Sequence, residues 1–149
     1  MMVDMGIGAV LERVERIGAV RADTASDRSD CESALVEIRR LRAWVDASEA
    51  DLAQRMASMV SFPEQSIAET LKGSIGQANT VMERAATLQS APAMAAALDA
   101  GAVTAGHVDA ITRAGRTLEP AQREQLLDRV DALVNVAEHA NQAEFARRV

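Results

Sequence analysis

Large side chains are scarce in this sequence. Its 149 residues include only three aromatic ones, Trp44, Phe62 and Phe145, and no tyrosine. Nearly half of the residues are apolar, but alanine dominates among them, so a core has to come from closely spaced helices rather than from large side chains. Residues that favour β-strands are few. The composition therefore predicts an all-α protein, and the length suits a single domain with one core.

Cysteine and histidine are also rare, which limits metal binding and catalysis. Cys31 is the only cysteine, so no disulfide can form within the chain. His107 and His139 lie far apart in sequence, and neither belongs to a metal-binding pattern such as H-E-x-x-H. No phosphate-binding loop and no set of acid, base and nucleophile can be assembled. We therefore expect no catalytic residue, no metal site and no cofactor in this segment.

Lysine is almost absent, and no block of positive charge stands out. Lys72 is the only lysine among sixteen cationic residues, and the formal net charge is −6. Proteins that bind nucleic acid through its phosphates usually gather Lys and Arg on one face. The composition therefore argues against strong non-specific nucleic-acid binding by this chain alone.

Long apolar runs are missing as well. No stretch reaches the length of a membrane helix, and the alternating acids and arginines near the N-terminus exclude the apolar region of a secretory signal. A single cysteine is compatible with a reducing compartment. We expect a cytoplasmic protein without membrane contact.

Two long helices are predicted in residues 1–60. The apolar residues of the first, in alternating steps of four and three, are Val3, Ile7, Val10, Val14 and Ile17. A polar linker follows, and Ser29 with Glu32 supplies a capping box for the second helix. This helix is expected to span about thirty residues, because no Gly or Pro interrupts it before Pro63. Its apolar row, with a repeat of seven, is Ile38, Val45, Leu52 and Met59.

The sequence offers two ways to bury this row. We expect the two long helices to form an antiparallel hairpin, with Ile38, Val45, Leu52 and Met59 buried inside the chain. A row shared with a second copy, in a homodimer, is the open alternative.

A helix-turn-helix-like unit is predicted after Pro63. Two capping boxes, Ser66 with Glu69 and Ser74 with Gln77, indicate two helix starts eight residues apart. Gly73 is expected to adopt the left-handed backbone that closes the first helix.

If this unit reads DNA, the N-terminal half of its second helix enters the major groove. The candidate contacts are Gln77, Asn79 and Thr80 for base edges, and Lys72, Ser74 and Arg84 for phosphates. Plain packing of two short helices inside an all-α domain is the alternative interpretation.

Further helices follow to the C-terminus. Pro92 opens one that Gly101 ends, and Thr104 caps the next, with His107 at its third position in a structural role. Pro120 opens a helix that carries its apolar residues as far as Ala137. Asn141 with Glu144 caps the last one. The prediction is thus a single-domain bundle of about seven helices, with a long helical hairpin in residues 1–60 and short helices in residues 61–149.

The run LQSAPAMAAALDAGAVTAGHVDAITRA resembles the N-terminal helical domain of an actinobacterial family, domain of unknown function 222, also called the 13E12 repeat family. The matching residues are Ala85, Leu88, Pro92, Ala97, Leu98, Gly101, Val103, Thr104, His107 and Ile111. Residues 41–56 and 143–149 also look like that family. Its members often carry an HNH endonuclease module downstream, so the resemblance implies an association with DNA-acting enzymes. The abrupt end after Val149 suggests a fragment, or a separately encoded domain, whose natural continuation is missing, and the resemblance implies that a nuclease signature would lie beyond Val149.

Two functions are therefore expected. The first is a non-catalytic accessory domain of an HNH-endonuclease-type protein, which assists binding to double-stranded DNA and has the nuclease module as a partner. The second is a helical oligomerisation or protein-interaction domain without DNA contact.

Overall fold

The computed structural model describes the backbone of residues 2–149 and the side chains from Gly6 onward. Within that part the chain is all-α, with nine helices and no strand. The helices are α1 (Met2–Ala22), α2 (Arg28–Ala57), α3 (Pro63–Leu71), α4 (Ile75–Ser90), α5 (Pro92–Asp99), α6 (Ala105–Arg116), α7 (Pro120–Asp128), α8 (Val130–Glu138) and α9 (Gln142–Arg148). No helix there is both long and apolar enough to cross a membrane.

α1 packs against α2 after the chain reverses in residues 23–27. Glu37 of α2 is buried at this contact and faces three arginines. Its carboxylate lies 3.6 Å from Arg13 Nε, 3.5 Å from Arg16 Nη1 and 3.4 Å from Arg40 Nη1. Arg13 also donates a hydrogen bond to the carbonyl oxygen of Ala100, at 3.1 Å. Because a buried carboxylate needs opposite charge nearby, this cluster fixes α1 on α2 and on the turn after α5.

The apolar row predicted for α1 is only partly used in this contact. Val10 and Ile17 are half-buried, whereas Ile7 and Val14 are 46% and 48% exposed. The side chain of Val3 lies outside the described residues.

The long helix has its predicted length of thirty residues, but it begins differently. Asp27 is the N-cap, and its carboxylate accepts the backbone N–H of Asp30 at 2.9 Å. The carboxylate of Asp30 in turn accepts the N–H of Asp27 at 3.1 Å. The predicted box of Ser29 and Glu32 is therefore wrong, because an equivalent pair two residues earlier already satisfies the free N–H groups.

The α2 face that packs on the rest of the domain is made of alanine. Ala43, Ala47 and Ala50 are buried in the main core with residues of α4, α5, α6, α8 and α9. The largest fully buried side chains of that core are Phe145, Met94, Leu98, Ile111, Val103 and Val108. A smaller cluster joins Ala53 to α3 and α4. Small side chains let helix axes approach closely, so the core forms without large residues from α2.

The expectation that the larger apolar row of α2 is buried within the chain is wrong. Val45 is 46% exposed, Leu52 58% and Met59 75%, whereas Ile38 is half-buried. The physical reason is that the alanine face, and not this row, contacts α4 and α5. We use the name α2 seam for the apolar residues along this side of α2 and in the turn after it, which are Leu35, Ile38, Val45, Leu52, Met56 and Met59. Of these, Met56 also packs against the smaller cluster.

The short helices depart from prediction at three points. α3 begins at Pro63, whose missing N–H suits the first helical position, so Ser66 lies inside the helix rather than at its start. Lys72, and not Gly73, has the left-handed backbone (φ 54°), because α3 ends one residue earlier than expected. The helix predicted from Pro120 to Ala137 is divided at Arg129 into α7 and α8, and only α8 has buried residues.

The other boundaries agree with prediction. Ser74, Pro92, Thr104, Pro120 and Asn141 each stand at a helix start. Gly101 ends the turn after α5 with φ +79°, and a Cβ at this position would lie 2.7 Å from the Cβ of Arg40. Glycine is therefore required here both for its backbone conformation and for the close approach of α2.

Candidate functional sites on α4 and α2

The turn between α3 and α4 is built from backbone hydrogen bonds and a capping box. The N–H of Gly73 donates to the carbonyl oxygen of Ala68 at 2.9 Å, which closes α3 behind the left-handed Lys72. The N–H of Gln77 donates to Ser74 Oγ at 3.1 Å, and the N–H of Ser74 donates to Gln77 Oε1 at 2.8 Å. Ser74 and Gln77 therefore have a structural role that uses their side-chain oxygens.

Most of the residues proposed to contact DNA lie on the surface of this unit. Lys72, Gln77, Asn79 and Thr80 are exposed, as is Ser74. The hydroxyl of Thr80 donates to the carbonyl oxygen of Gly76 at 3.0 Å, within its own helix. Asn79 and the amide nitrogen of Gln77 are thus the groups of this set that could meet a base edge.

Arg84 differs from the rest of the set, because it is bound within the domain. Its Nε and Nη2 donate to the two carboxylate oxygens of Asp109, at 2.9 and 2.8 Å. The Arg84 side chain is only 11% exposed. The hydrogen bond to Asp109 raises the pKa of Arg84, so this guanidinium stays charged while it joins α4 to α6. No local sequence pattern indicates this pair, because its members are 25 residues apart.

Two carboxylates of α2 lie near Arg84. Burial raises the pKa of Asp46, and Asp109 adds to that effect, whereas Arg84 and Arg42 oppose it. Burial also raises the pKa of Glu49, with a further contribution from Asp46. The neighbourhood of Arg84 is therefore rich in carboxylates, which is unfavourable for a phosphate.

His107 holds the start of α6 against the α8–α9 connection. Its Nδ1 accepts the backbone N–H of Thr104 at 3.0 Å, so the ring proton belongs on Nε2, which donates to the carbonyl oxygen of Ala140 at 2.8 Å. The ring also meets Phe145 edge to face, with 5.3 Å between centroids. Both ring nitrogens are used and the residue is buried, which fits the structural role predicted for it.

The α2 seam forms a second candidate surface. Its C-terminal half borders α3, and together they line an apolar groove with Val45, Leu52, Met56, Ile67 and Leu71 in its walls. The heptad repeat located most of these residues from sequence, but it did not reveal that they face outward. Leu71 of α3 is 52% exposed and extends the apolar surface onto that helix.

Among the described residues, no group of three or more His, Cys, Asp or Glu side chains is placed to hold a metal ion. Cys31 is exposed on the first turn of α2.

No family model, curated protein or solved structure matches this chain. The resemblance to the domain of unknown function 222 family therefore stays a prediction.

Proposed function

We propose that this chain is a non-catalytic association domain, which joins two copies of itself through the α2 seam. One observation carries the proposal. The large apolar residues of α2 and of the turn after it repeat in a heptad pattern, yet most of them, Leu35, Val45, Leu52 and Met59, are 46–75% exposed and lie outside the core clusters. Single exposed apolar residues are ordinary on protein surfaces, but a heptad-spaced row is typical of helices that pack against a partner helix.

The energetics support this role. Full burial of a Val, Leu or Met side chain contributes roughly 1.5–3 kcal/mol, and several seam residues are about half exposed or more. Their burial in a dimer would therefore offset part of the cost of association, which is itself several kcal/mol. The groove beside α3 adds apolar surface to the same side of the domain.

DNA binding by α4 is a second candidate function, in keeping with an accessory domain of an HNH-endonuclease-type protein. The exposure of Asn79 and Gln77 near the start of α4 supports it. The charges disfavour it, because residues 63–90 contain two cations against three carboxylates, and Arg84 is bound to Asp109. Lys72 is left as the exposed cation of the set, so contacts to phosphate would be few.

Sedimentation velocity over a range of protein concentrations tests the association function. The wild-type chain should form dimers as concentration rises, and Leu52→Glu should stay monomeric, because it places a charge in the seam. The control Ala132→Glu adds the same charge at an exposed position of α8 and should dimerise like wild type. Circular dichroism checks that all three chains are folded. A wild-type monomer at every concentration, or a Leu52→Glu dimer as tight as wild type, would refute the proposal.

Fluorescence anisotropy with duplex DNA at about 50 mM salt tests the second candidate. Loss of binding in Lys72→Glu and in Asn79→Ala, with both variants folded, would support it. Equal signals for wild type and both variants would exclude α4 as the DNA contact.

A further inference from the structure

The outward row of α2 contains two charged residues of opposite sign. Positions 35, 38, 42, 45, 49, 52, 56 and 59 alternate steps of three and four, so the first seven lie along one side of α2, and Met59 follows in the turn after it. Six of them form the α2 seam, and the other two are Arg42 and Glu49. Arg42 is exposed and Glu49 is half-buried. Among the described side chains, neither takes part in an ion pair.

These two charges are placed symmetrically in the row. Arg42 lies three residues before Val45, and Glu49 lies four residues after it. Outside them, Leu35 and Ile38 on one side correspond to Leu52 and Met56 on the other. The row therefore has the same pattern of apolar residues in both directions, with the sign of the charge exchanged.

This pattern distinguishes between the two ways in which two copies of α2 could pair. In a parallel pair Arg42 would meet Arg42 of the partner subunit, and Glu49 would meet Glu49 of the partner subunit, so both contacts would be repulsive. In an antiparallel pair Arg42 meets the partner subunit's Glu49, and symmetry repeats this contact. Polar residues within the apolar row of paired helices specify their register in this way.

On the basis of the proposed association function, we infer that two copies pair through antiparallel α2 helices, about a two-fold axis near Val45, with Arg42 of each copy against Glu49 of the other. In this arrangement the apolar residues at one end of the seam face those at the other end of the partner's seam. Leu35 of the partner subunit lies towards Leu52 and Met56 and reaches the groove that Ile67 and Leu71 line on α3. Each groove is completed by a residue of the other copy.

The surroundings of Glu49 support this arrangement. Burial and the neighbouring Asp46 raise the pKa of Glu49, and Arg84 of the same chain only partly opposes them, so the charge of Glu49 is incompletely compensated within one chain. The guanidinium of the partner subunit's Arg42 would supply that compensation.

Charge exchange at the two positions tests the orientation. Arg42→Glu and Glu49→Arg should each raise the dissociation constant of the dimer about tenfold, because each replaces two attractive contacts by two repulsive ones. The double variant Arg42→Glu/Glu49→Arg should restore the wild-type constant. In a parallel dimer each single variant would only exchange one like-charge pair for another. The dissociation constant would then stay near the wild-type value in the single variants, so the double variant would have no loss to restore. Absence of rescue in a folded double variant would overturn the antiparallel pairing.

Thiol cross-linking with a short bifunctional maleimide gives an independent test. Cys31 lies fourteen residues before Val45, so in the antiparallel pair the two Cys31 residues are about 40 Å apart, at a rise of about 1.5 Å per residue. The wild-type dimer should therefore not cross-link. The variant Cys31→Ser/Val45→Cys, with its thiols near the axis, should.

The outcomes separate the orientation from the association function. A wild-type dimer that cross-links through Cys31 is parallel, which refutes the orientation and leaves the function intact. The orientation is also refuted if Leu52→Glu disrupts the dimer but neither the wild type nor Cys31→Ser/Val45→Cys cross-links. A chain that is monomeric throughout refutes both.

Discussion

The two faces of α2 use apolar residues in opposite ways. The face towards α4 and α5 consists of Ala43, Ala47 and Ala50, all buried in the core. The outward face has larger side chains, and of these Leu52 is more than half exposed. Within α2, the smallest apolar residues thus face the interior of the domain, and larger ones face its surface. This is the reverse of what hydrophobicity alone predicts.

The comparison shows that helix spacing, and not side-chain size, decides which face becomes the core. Helices packed through alanine can approach to about 8 Å between axes, the short end of the usual range, and their backbones then supply much of the contact. A heptad row identifies a surface that pairs with a helix, but it does not say whether that helix belongs to the same chain. The exposure of Val45 shows that the row is not buried within its own chain, and this supports the proposed pairing with a second copy.

The two faces should differ most in their response to a charge, so the first test places a glutamate on each face. Ala50→Glu buries a carboxylate without a partner, and we expect a loss of about 4 kcal/mol or more, which is close to the whole stability of many domains. Leu52→Glu, two residues along the helix, should change the stability of the monomer by only about 0.5 kcal/mol. Urea unfolding at a concentration where the wild type is monomeric measures both.

A similar loss for the two variants would mean that the seam contributes to the core after all. Truncation to alanine cannot be used for this comparison, because position 50 is already alanine.

A smaller difference in stability is expected when side-chain volume, and not charge, is added to each face. Ala43→Leu inserts three carbons into a tightly packed contact, and overpacking of this kind costs about 1–3 kcal/mol. Val45→Leu adds one carbon on the exposed face, where we expect a change within about 0.5 kcal/mol. The midpoints of thermal unfolding at low protein concentration compare the two. Equal stabilities for both variants would show that the alanine contact is loose enough to accept a leucine.

Much of the fold could be predicted from the sequence, because local chemistry determines it. Ser74 with Gln77 and Asn141 with Glu144 satisfy the free N–H groups of helix starts, and the left-handed turn at Gly101 requires glycine. Where two local signals competed, the sequence was ambiguous. Pro63 and Ser66 could each start α3, and Asp27 and Ser29 could each cap α2.

The tertiary contacts could not be predicted in the same way. The pairing of Arg84 with Asp109, and the contact of His107 with Ala140, join residues that are 25 and 33 positions apart. No local pattern specifies such pairs. Arg84 was therefore assigned to phosphate binding, whereas the fold places it against a carboxylate of α6.

The last and smallest effect concerns Asp46, which lies on α2 between the two faces, near Arg84. Burial raises its pKa from the ordinary value of 3.8, which means that the folded domain disfavours its charged form. Between pH 3.8 and the higher pKa of the folded state, the folded chain binds more protons than the unfolded chain. The free energy of unfolding therefore falls as pH rises through this window. At neutral pH the full cost of the charge is present.

Asp46→Asn removes this charge and keeps the shape of the side chain, so we expect a gain in stability of about 0.5 kcal/mol or less at pH 7. The gain should shrink as pH falls and vanish below about 3.8, where Asp46 is protonated in both states. Asp51→Asn, at an exposed position of the same helix, controls for the change in net charge and in helix propensity. Urea unfolding of the three chains from pH 3 to pH 7 gives the pH dependence of the difference. A loss of stability in Asp46→Asn at pH 7, with Asp51→Asn unchanged, would mean that the attraction between Asp46 and Arg84 outweighs the cost of burying the carboxylate.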